Sequence, residues 1–421
     1  MKRKIICLLI IILFSPIAVK AEEIFLTLDE AITIALRDNR DILLQIEDLK
    51  KAKSKIAEAE AGLYPNLTVS AAWTDTLGLY VKNQQEKSVL VGVRQVLYKG
   101  GKIVNAVKVG EFNYQATEAA IDKVKSEIIL NVKKSFYALL LAEELADINK
   151  GILDNTKAHM EFINARYQNG QSSESDVLSM QAAISNVRQG YAASINQVEA
   201  VQELLRNLLY LEKEVVVIPN EKFSFDPREV AFDEALLRAM KERPEIRQLQ
   251  AQQKAAEKNI EIAKADGRPS IGASWDYYYR SSNASGTSRD WKDYNFLGII
   301  ISWPVFDGWL TKSKVDQAIT DLRQTHILGE KAAKDIALEL KTAYLDLKNA
   351  IEQTKSAEDQ LKFYKDGLSV IQAKSEAGIV SLLDLADARL SYEVALFNQD
   401  QAIYDYLIAK AGFEKAAGGW Q

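Results

Sequence analysis

LTLDEAITIALRDNRDI (Leu26–Ile42) returns in altered form as VAFDEALLRAMKERPEI (Val230–Ile246). Asp29-Glu30-Ala31 falls on Asp233-Glu234-Ala235 at an offset of 204, which also carries Pro65 onto Pro269 and Ser70 onto Ser274. Further along, VLYKGGK (Val96–Lys102) answers PVFDGWL (Pro304–Leu310), and Gly170 with Asp176 answers Gly378 with Asp384, now at an offset of 208. Signals that recur in one order at near-constant spacing mark a single structural unit used twice.

Each unit reads as a short helix, two strands and two very long helices. Leu67, Val69, Ala71 and Trp73 alternate with small or polar residues, as do Val89, Val91 and Val93, and then Ile271, Ala273, Trp275, Tyr277 and Tyr279 ahead of YNFLGIIISW. Strict alternation predicts strands over about 66–81, 88–97, 270–280 and 294–303, each about the length that crosses a bilayer at a tilt. Beyond them, no proline interrupts the runs from Gly101 to Gln168 and from Trp309 to Glu376. Apolar residues recur there at threes and fours: Ile121, Val124, Ile128, Val132, Phe136 and Leu139, then Ile336, Leu340, Tyr344, Leu347 and Ile351. Continuous helices over 101–168 and 309–376 would each span roughly 100 Å, followed by helices over 172–211 and 380–415. The two units occupy 22–211 and 230–421. Between them 212–229, with Pro219 and Pro227, lacks helical periodicity and reads as connecting structure beside the rods.

A chain of 421 residues with 48% hydrophobic and 26% charged residues has a globular composition. Residues 1–21 run from Lys2, Arg3 and Lys4 through about ten apolar residues to a small-residue site at Ala21, the layout of a secretory signal peptide. Cys7, the one cysteine, lies inside that run, so the mature chain from Glu22 is expected to carry no thiol, disulfide or lipid. Removal of the leader leaves 49 basic against 58 acidic residues, a net charge of −9 with no basic tract for a phosphate backbone. Nucleic acid is therefore not an expected partner.

Four strands do not close a barrel, and open edges in lipid leave backbone groups unpaired at several kcal/mol each. Copies of the chain around a symmetry axis would supply the missing neighbours. Trp73, Trp275, Tyr277, Tyr278, Tyr279, Trp291, Tyr294 and Trp303 cluster at the strands, as aromatic girdles do at membrane interfaces. A soluble β-sandwich core is the alternative reading of the strands alone.

The DEA openings, Pro65 and Pro269 before the outgoing strands, LYKGG and VFDGW after the returning ones, and the turns YQNGQSSESDVLSMQ and SEAGIVSLLDLADAR together resemble the TolC-like outer membrane efflux protein family. The match runs over essentially the whole mature chain. It implies a mainly helical fold with four strands and long antiparallel coiled-coil helices per chain. Three copies would form a twelve-stranded outer-membrane β-barrel continued by a periplasmic helical barrel. Also implied are a homotrimer surrounded by outer-membrane lipid, a periplasmic adaptor protein and an inner-membrane RND or ABC transporter as partners, and no cofactor. The alternative is a periplasmic coiled-coil scaffold without a pore.

The resemblance places Gly170 and Gly378 at the periplasmic tip, where paired helices turn, and puts Asp384 and Asp387 at the family's constriction positions. Residues three apart share a helix face, so a trimer would hold six such carboxylates near its axis as a ring that favours cations. Ser175 and Asp176 of the first turn are the expected contacts between neighbouring copies. Family members latch this tip with a tyrosine three residues before the second glycine and a basic residue two after it. Here those positions are Ser375 and Val380, which leaves Arg166 and Tyr167 of the first turn as substitutes. The sequence holds no G-x-x-x-x-G-K-[ST], no H-E-x-x-H and no cysteine pair, and His159 and His326 lie far apart on predicted helices. A hydrolase would need a clustered acid–base pair that the sequence does not show, and the reading is of a channel that performs no chemistry.

Overall fold

The computed structural model describes residues 22–77, 84–213, 215–227, 230–282, 290–377 and 379–419. The leader read at 1–21, the end of the first predicted strand and Gly378 lie outside them. In chain order the elements are β1 (Glu22–Leu26), α1 (Leu28–Asp38), α2 (Arg40–Ala61), β2 (Asn66–Thr76), β3 (Gln84–Lys99), α3 (Lys102–Gln168) and α4 (Glu174–Leu209). Then follow β4 (Val215–Pro219), α5 (Phe232–Glu242), α6 (Pro244–Ala265), β5 (Ser270–Ser282), β6 (Lys292–Ser302), α7 (Leu310–Glu376) and α8 (Leu382–Ala416). None of the described helices is long and apolar enough to cross a membrane.

Two helices, not one, precede each strand pair. Asn39 breaks the first pair in extended conformation and caps α2, its side chain accepting from the Asp41 amide. Arg243, its counterpart in the second half, takes the same extended conformation, and Pro244 opens α6 at the position where a missing N–H costs nothing. The sequence signal for this break was present in Asn-Arg-Asp and Arg-Pro-Glu, but the helical pattern on either side masked it.

By contacts the chain forms two compact units, each drawn from three separate stretches. One comprises residues up to Asp38, Asn131–Phe225 and Thr354–Tyr404; the other comprises Asn39–Leu130, Asp226–Gln353 and Asp405–Gln421.

The second unit holds an antiparallel sheet in the order β2-β3-β5-β6. Val91 faces Val69 on one side and Tyr277 on the other, and Trp275 faces Val93 and Leu297. This register gathers Leu67, Val69, Trp73, Trp275, Tyr277, Ile299 and Ile301 on one face, and Thr68, Ser70, Arg94, Ser274, Asp276 and Gly298 on the other, more polar one, which also carries Leu90, Tyr278, Phe296 and Ile300. The apolar face is uncovered, with Ile299 70% exposed. A face of this kind belongs against lipid, with the polar face toward a lumen. Asp276 is only 8% exposed because it leans over Gly92: a Cβ there would come within 2.7 Å of its Oδ1. Arg94 lies 3.9 Å from the same oxygen. Among the described residues, both outer strands, β2 and β6, have one unpaired edge.

Beside the sheet, this unit packs Ile42, Ala239, Leu340 and Tyr406 into its core, and Tyr406 donates to the Asp226 carbonyl at 2.7 Å. Arg243, 4% exposed, ties the start of α6 to α7. Its guanidinium grips Glu245 through two bonds of 3.0 and 3.1 Å and reaches Glu339 of α7 at 2.5 Å. Lys415 stands 3.6 Å from the other Glu339 oxygen.

In the first unit, Val215–Pro219 of the connecting stretch is more than a connector. Val215, Val216 and Val217 make β4 pair in parallel with β1, a pairing absent from the sequence reading. Val217 is buried with Val132, Phe136 and Leu139 of α3 and Leu205 and Leu209 of α4. Gln202 donates to the Val217 carbonyl at 3.0 Å and Arg206 to that of Lys213 at 2.6 Å, so α4 secures the strand. The stripe read as Val132, Phe136 and Leu139 is therefore core.

Two carboxyl groups meet in this unit. Burial, with a hydrogen bond that its protonated form donates to Glu144 of α3 and repulsion by that carboxylate, pushes the Asp400 carboxyl of α8 up to about 7. Nearby Glu143 is also raised, by burial and then by Asp147. Unfolded, an aspartate titrates near 3.9, so between about pH 4 and 7 the folded chain holds the extra proton. The stability that this pair contributes is thus fully present below about pH 4 and is lost as pH rises toward 7. Melting of the helical signal is expected at a higher temperature at pH 5 than at pH 8, and Asp400→Asn should flatten this difference. Equal melting of the unsubstituted chain at both pH values would refute the pairing.

Candidate functional site

The two helix turns singled out by sequence are built alike. At the end of α3, Gly170 takes a left-handed φ of 68°, which a glycine adopts freely. Gly170 N donates to the Tyr167 carbonyl at 3.0 Å and Gln171 N to that of Arg166 at 2.8 Å, the paired bonds that close a helix C-terminus. At the end of α7, Ile379 N donates to the Lys374 carbonyl at 2.9 Å across the same span of chain. Gly378 itself lies outside the described residues.

Each following helix starts with a capping box. Ser173 accepts from the Asp176 amide, while Asp176 Oδ2 accepts from Ser173 N at 2.9 Å and Ser172 Oγ at 3.0 Å. In the second turn, Asp384 Oδ2 accepts from Ser381 Oγ at 2.7 Å and Ser381 N at 2.9 Å, and Asp384 N donates back to Ser381 Oγ. Both aspartates are therefore the third residue of their helix. Bonds from the Ser173 amide and hydroxyl hold the Asp176 carboxyl below the usual carboxylate range. The Ser381 hydroxyl and amide do the same for Asp384. The Ser-x-x-Asp spacing of a capping box stands in the sequence at both places and is the signal that foretells these bonds.

Asp384 and Asp387, paired in the sequence reading, have different partners in the chain. Asp384 is committed through Oδ2 to its own helix start. Asp387, one turn on and 58% exposed, has Oδ1 3.5 Å from Nε2 of His159 on α3. Among the described residues that nitrogen makes no hydrogen bond, so the contact is an ion pair whenever the imidazole is protonated. His159, read from sequence as a packed or surface residue, in fact faces a candidate gate carboxylate. Ser175 is exposed in the first turn of α4. Arg166 is engaged at its own helix end, with Nη2 3.4 Å from the Gln171 carbonyl and the guanidinium over the Phe162 ring, whereas Tyr167 is exposed.

Of the interface aromatics, Trp73, Trp275, Tyr277 and Tyr279 share the apolar face of the sheet. Tyr279 stacks on Trp291 at 4.6 Å, and Tyr278 on Tyr294 at 4.8 Å. Trp303 lies just past the end of β6, its indole donating to the Gly267 carbonyl at 3.3 Å.

A sided sheet with open edges, joined to 67-residue helices that end in capped turns, defines a subunit of an outer-membrane channel. The chain belongs to the outer membrane efflux protein family, whose profile matches residues 31–209 and 235–419. It is similar to the cation efflux system protein CusC of Escherichia coli O157:H7, with 25% identity over 93% of this chain and 85% of the relative. Similarity to the alkaline protease secretion protein AprF of Pseudomonas aeruginosa is 20% over 91% of this chain and 83% of the other. The open-state structure of the Neisseria gonorrhoeae MtrE outer membrane channel superposes with a TM-score of 0.76 at 21% identity, covering 93% of this chain and 89% of MtrE. The protein is thus an outer-membrane efflux channel extending into the periplasm. It works as a trimer with an efflux system and is not an enzyme. This membership decides against the soluble scaffold and the hydrolase.

Proposed function

We propose that this chain is the exit duct of a three-part export assembly, gated where α3 turns into α4 and α7 into α8. Three copies would close one twelve-stranded barrel, a periplasmic adaptor would grip the helices, and an inner-membrane transporter of the RND or ABC type would load the duct. The supporting observation is the sheet: an apolar face, a more polar face and two unpaired edges are what neighbouring copies would complete into a ring around an aqueous lumen. The mature chain would start at Glu22 without lipid, because Cys7 precedes the cleavage site. The two halves 22–211 and 230–421 would act as repeats around the ring.

Asp384 and Asp387 are the carboxylates assigned to the constriction, with Asp176 and Ser175 set against the neighbouring copy. The capping boxes support this role by fixing Asp384 and Asp176 at the helix starts, and the depressed Asp384 carboxyl stays ionised at neutral pH. Planar-bilayer recording from the purified trimer should show a narrow conductance that prefers cations and needs no nucleotide. An anion-preferring pore, or none, would refute the duct.

A further inference from the structure

The two halves build the same junction twice, and only one of the two is covered. Between β3 and α3, Gly100 and Gly101 are both left-handed, at φ 61° and 84°. The end of α6 closes over them: a Cβ on Gly100 would lie 2.8 Å from both the Ala265 carbonyl oxygen and the Arg268 Cβ. Arg268 donates to the Gly100 carbonyl at 2.8 Å. Asp266 holds Lys102 at 2.5 Å and Lys314 at 2.8 Å.

Between β6 and α7 the backbone repeats at the matching place of the second half. Gly308 and Trp309 take φ 66° and 68°, and Ser313 N donates to the Trp309 carbonyl as Asn105 N does to that of Gly101. Here, its two chain neighbours aside, no described residue comes within 4 Å of the place a Gly308 Cβ would take. Phe306 and Trp309 meet edge to face at 5.9 Å, yet are 75% and 67% exposed. Glycine suits a left-handed position and tryptophan does not. The first half uses glycine there, so the indole itself is what this position retains.

The matching cover stands at the opposite edge of the sheet. α2 ends in the same three backbone bonds as α6, made by Gly62, Leu63 and Tyr64 as by Asp266, Gly267 and Arg268. Tyr64 thus occupies the place of Arg268 and Gly62 that of Asp266. Leu63 and Tyr64 are exposed. β6 stops at Ser302, while its counterpart β3 continues to Lys99 because β5 lies beside it there.

Resting on the trimeric reading, we propose that the seam between copies is an apolar clasp: the Phe306–Leu310 turn seats on Leu63 and Tyr64 of the neighbouring copy. The ions of the covered junction have no equivalents, since Leu310 stands for Lys102 and Gly62 for Asp266. The Tyr64 hydroxyl donates to the Gly308 carbonyl where Arg268 donates to that of Gly100. The repeat also sets the strand register. Arg94 faces Ser274 and Tyr98 faces Ile271 inside the chain. Between copies, Ser302 therefore faces Ser70, and Phe306 faces Leu67.

Facing residues on paired strands are within disulfide reach, whereas Ser70 and Ser302 sit on opposite edges of one sheet. With Cys7→Ser as background, oxidation of Ser70→Cys/Ser302→Cys should yield covalent dimers and trimers. The slipped pair Ala72→Cys/Ser302→Cys should yield few. Trp309→Gly should lower the temperature at which the trimer dissociates, although glycine relaxes the turn. Trimers that cross-link equally well at the slipped pair, or that resist heat as well or better with Trp309→Gly, would overturn the clasp and leave the trimer standing. A chain that never exceeds a monomer would overturn both.

Discussion

With Asp384→Asn and Asp387→Asn combined, the channel is expected to lose most of its preference for cations. Charge concentrated in a narrow, low-dielectric passage raises the local counter-ion concentration by tenfold or more. Six carboxylates leave the trimer at once, so a fall of about tenfold in the cation-to-anion permeability ratio is expected in bilayer recordings. The asparagines separate charge from structure. At position 384 the amide oxygen still accepts from Ser381, so the start of α8 stays capped. Asp384→Ala removes that acceptor as well, leaving the Ser381 amide and hydroxyl without it and loosening the helix start. The alanine variant should therefore open more often in addition to losing selectivity, and the asparagine variant should lose selectivity alone. Unchanged selectivity in both variants would return the two aspartates to helix capping and the His159 contact.

Arg243→Ala should be the most damaging single change to the fold of the unit that contains the sheet. The guanidinium is almost wholly buried and satisfies Glu245 and Glu339 at once. Deleting one side of a buried pair costs about 3–5 kcal/mol because the partner charges remain. Glu339 is partly solvated, so we expect about 3 kcal/mol, the lower end of that range. Arg243→Lys keeps the charge but not the fork that holds both Glu245 oxygens, and should recover only part of the loss. Urea unfolding followed by the helical signal measures both. A loss below about 1 kcal/mol for the alanine variant, the value of a surface pair, would show that the network is peripheral.

Particular residues explain which parts of this structure the sequence disclosed. The sheet was legible because Leu67-x-Val69-x-Ala71-x-Trp73 and its partners meet a two-residue rhythm on each strand. The long helices were legible because no proline breaks α3 or α7. The β1–β4 pair was not, since two short strands whose partners lie far apart along the chain, Glu22 against Val215, carry no local signal. Arg243 was not, because an arginine next to a proline looks solvated until Glu339 of α7 is placed against it. At the turns, the positions of Asp384 and Asp387 followed from family resemblance. Their separate commitments, to Ser381 and to His159, needed the third dimension, although the capping half was written in Ser381-Leu382-Leu383-Asp384.

Each compact unit is assembled from three stretches of chain, and the last stretch of each lies beyond Gln353. The order of synthesis therefore does not match the order of folding. Neither core is complete until α8 has been delivered, because residues 354–404 finish one unit and 405–421 the other. Pairings of such long sequence separation form slowly, since loop-closure entropy must be met before any contact rewards it. Nearly the full chain must consequently emerge as an unfolded polymer, with its apolar strands exposed. A C-terminal truncation short of α8 should therefore leave both units unfolded rather than trim one of them.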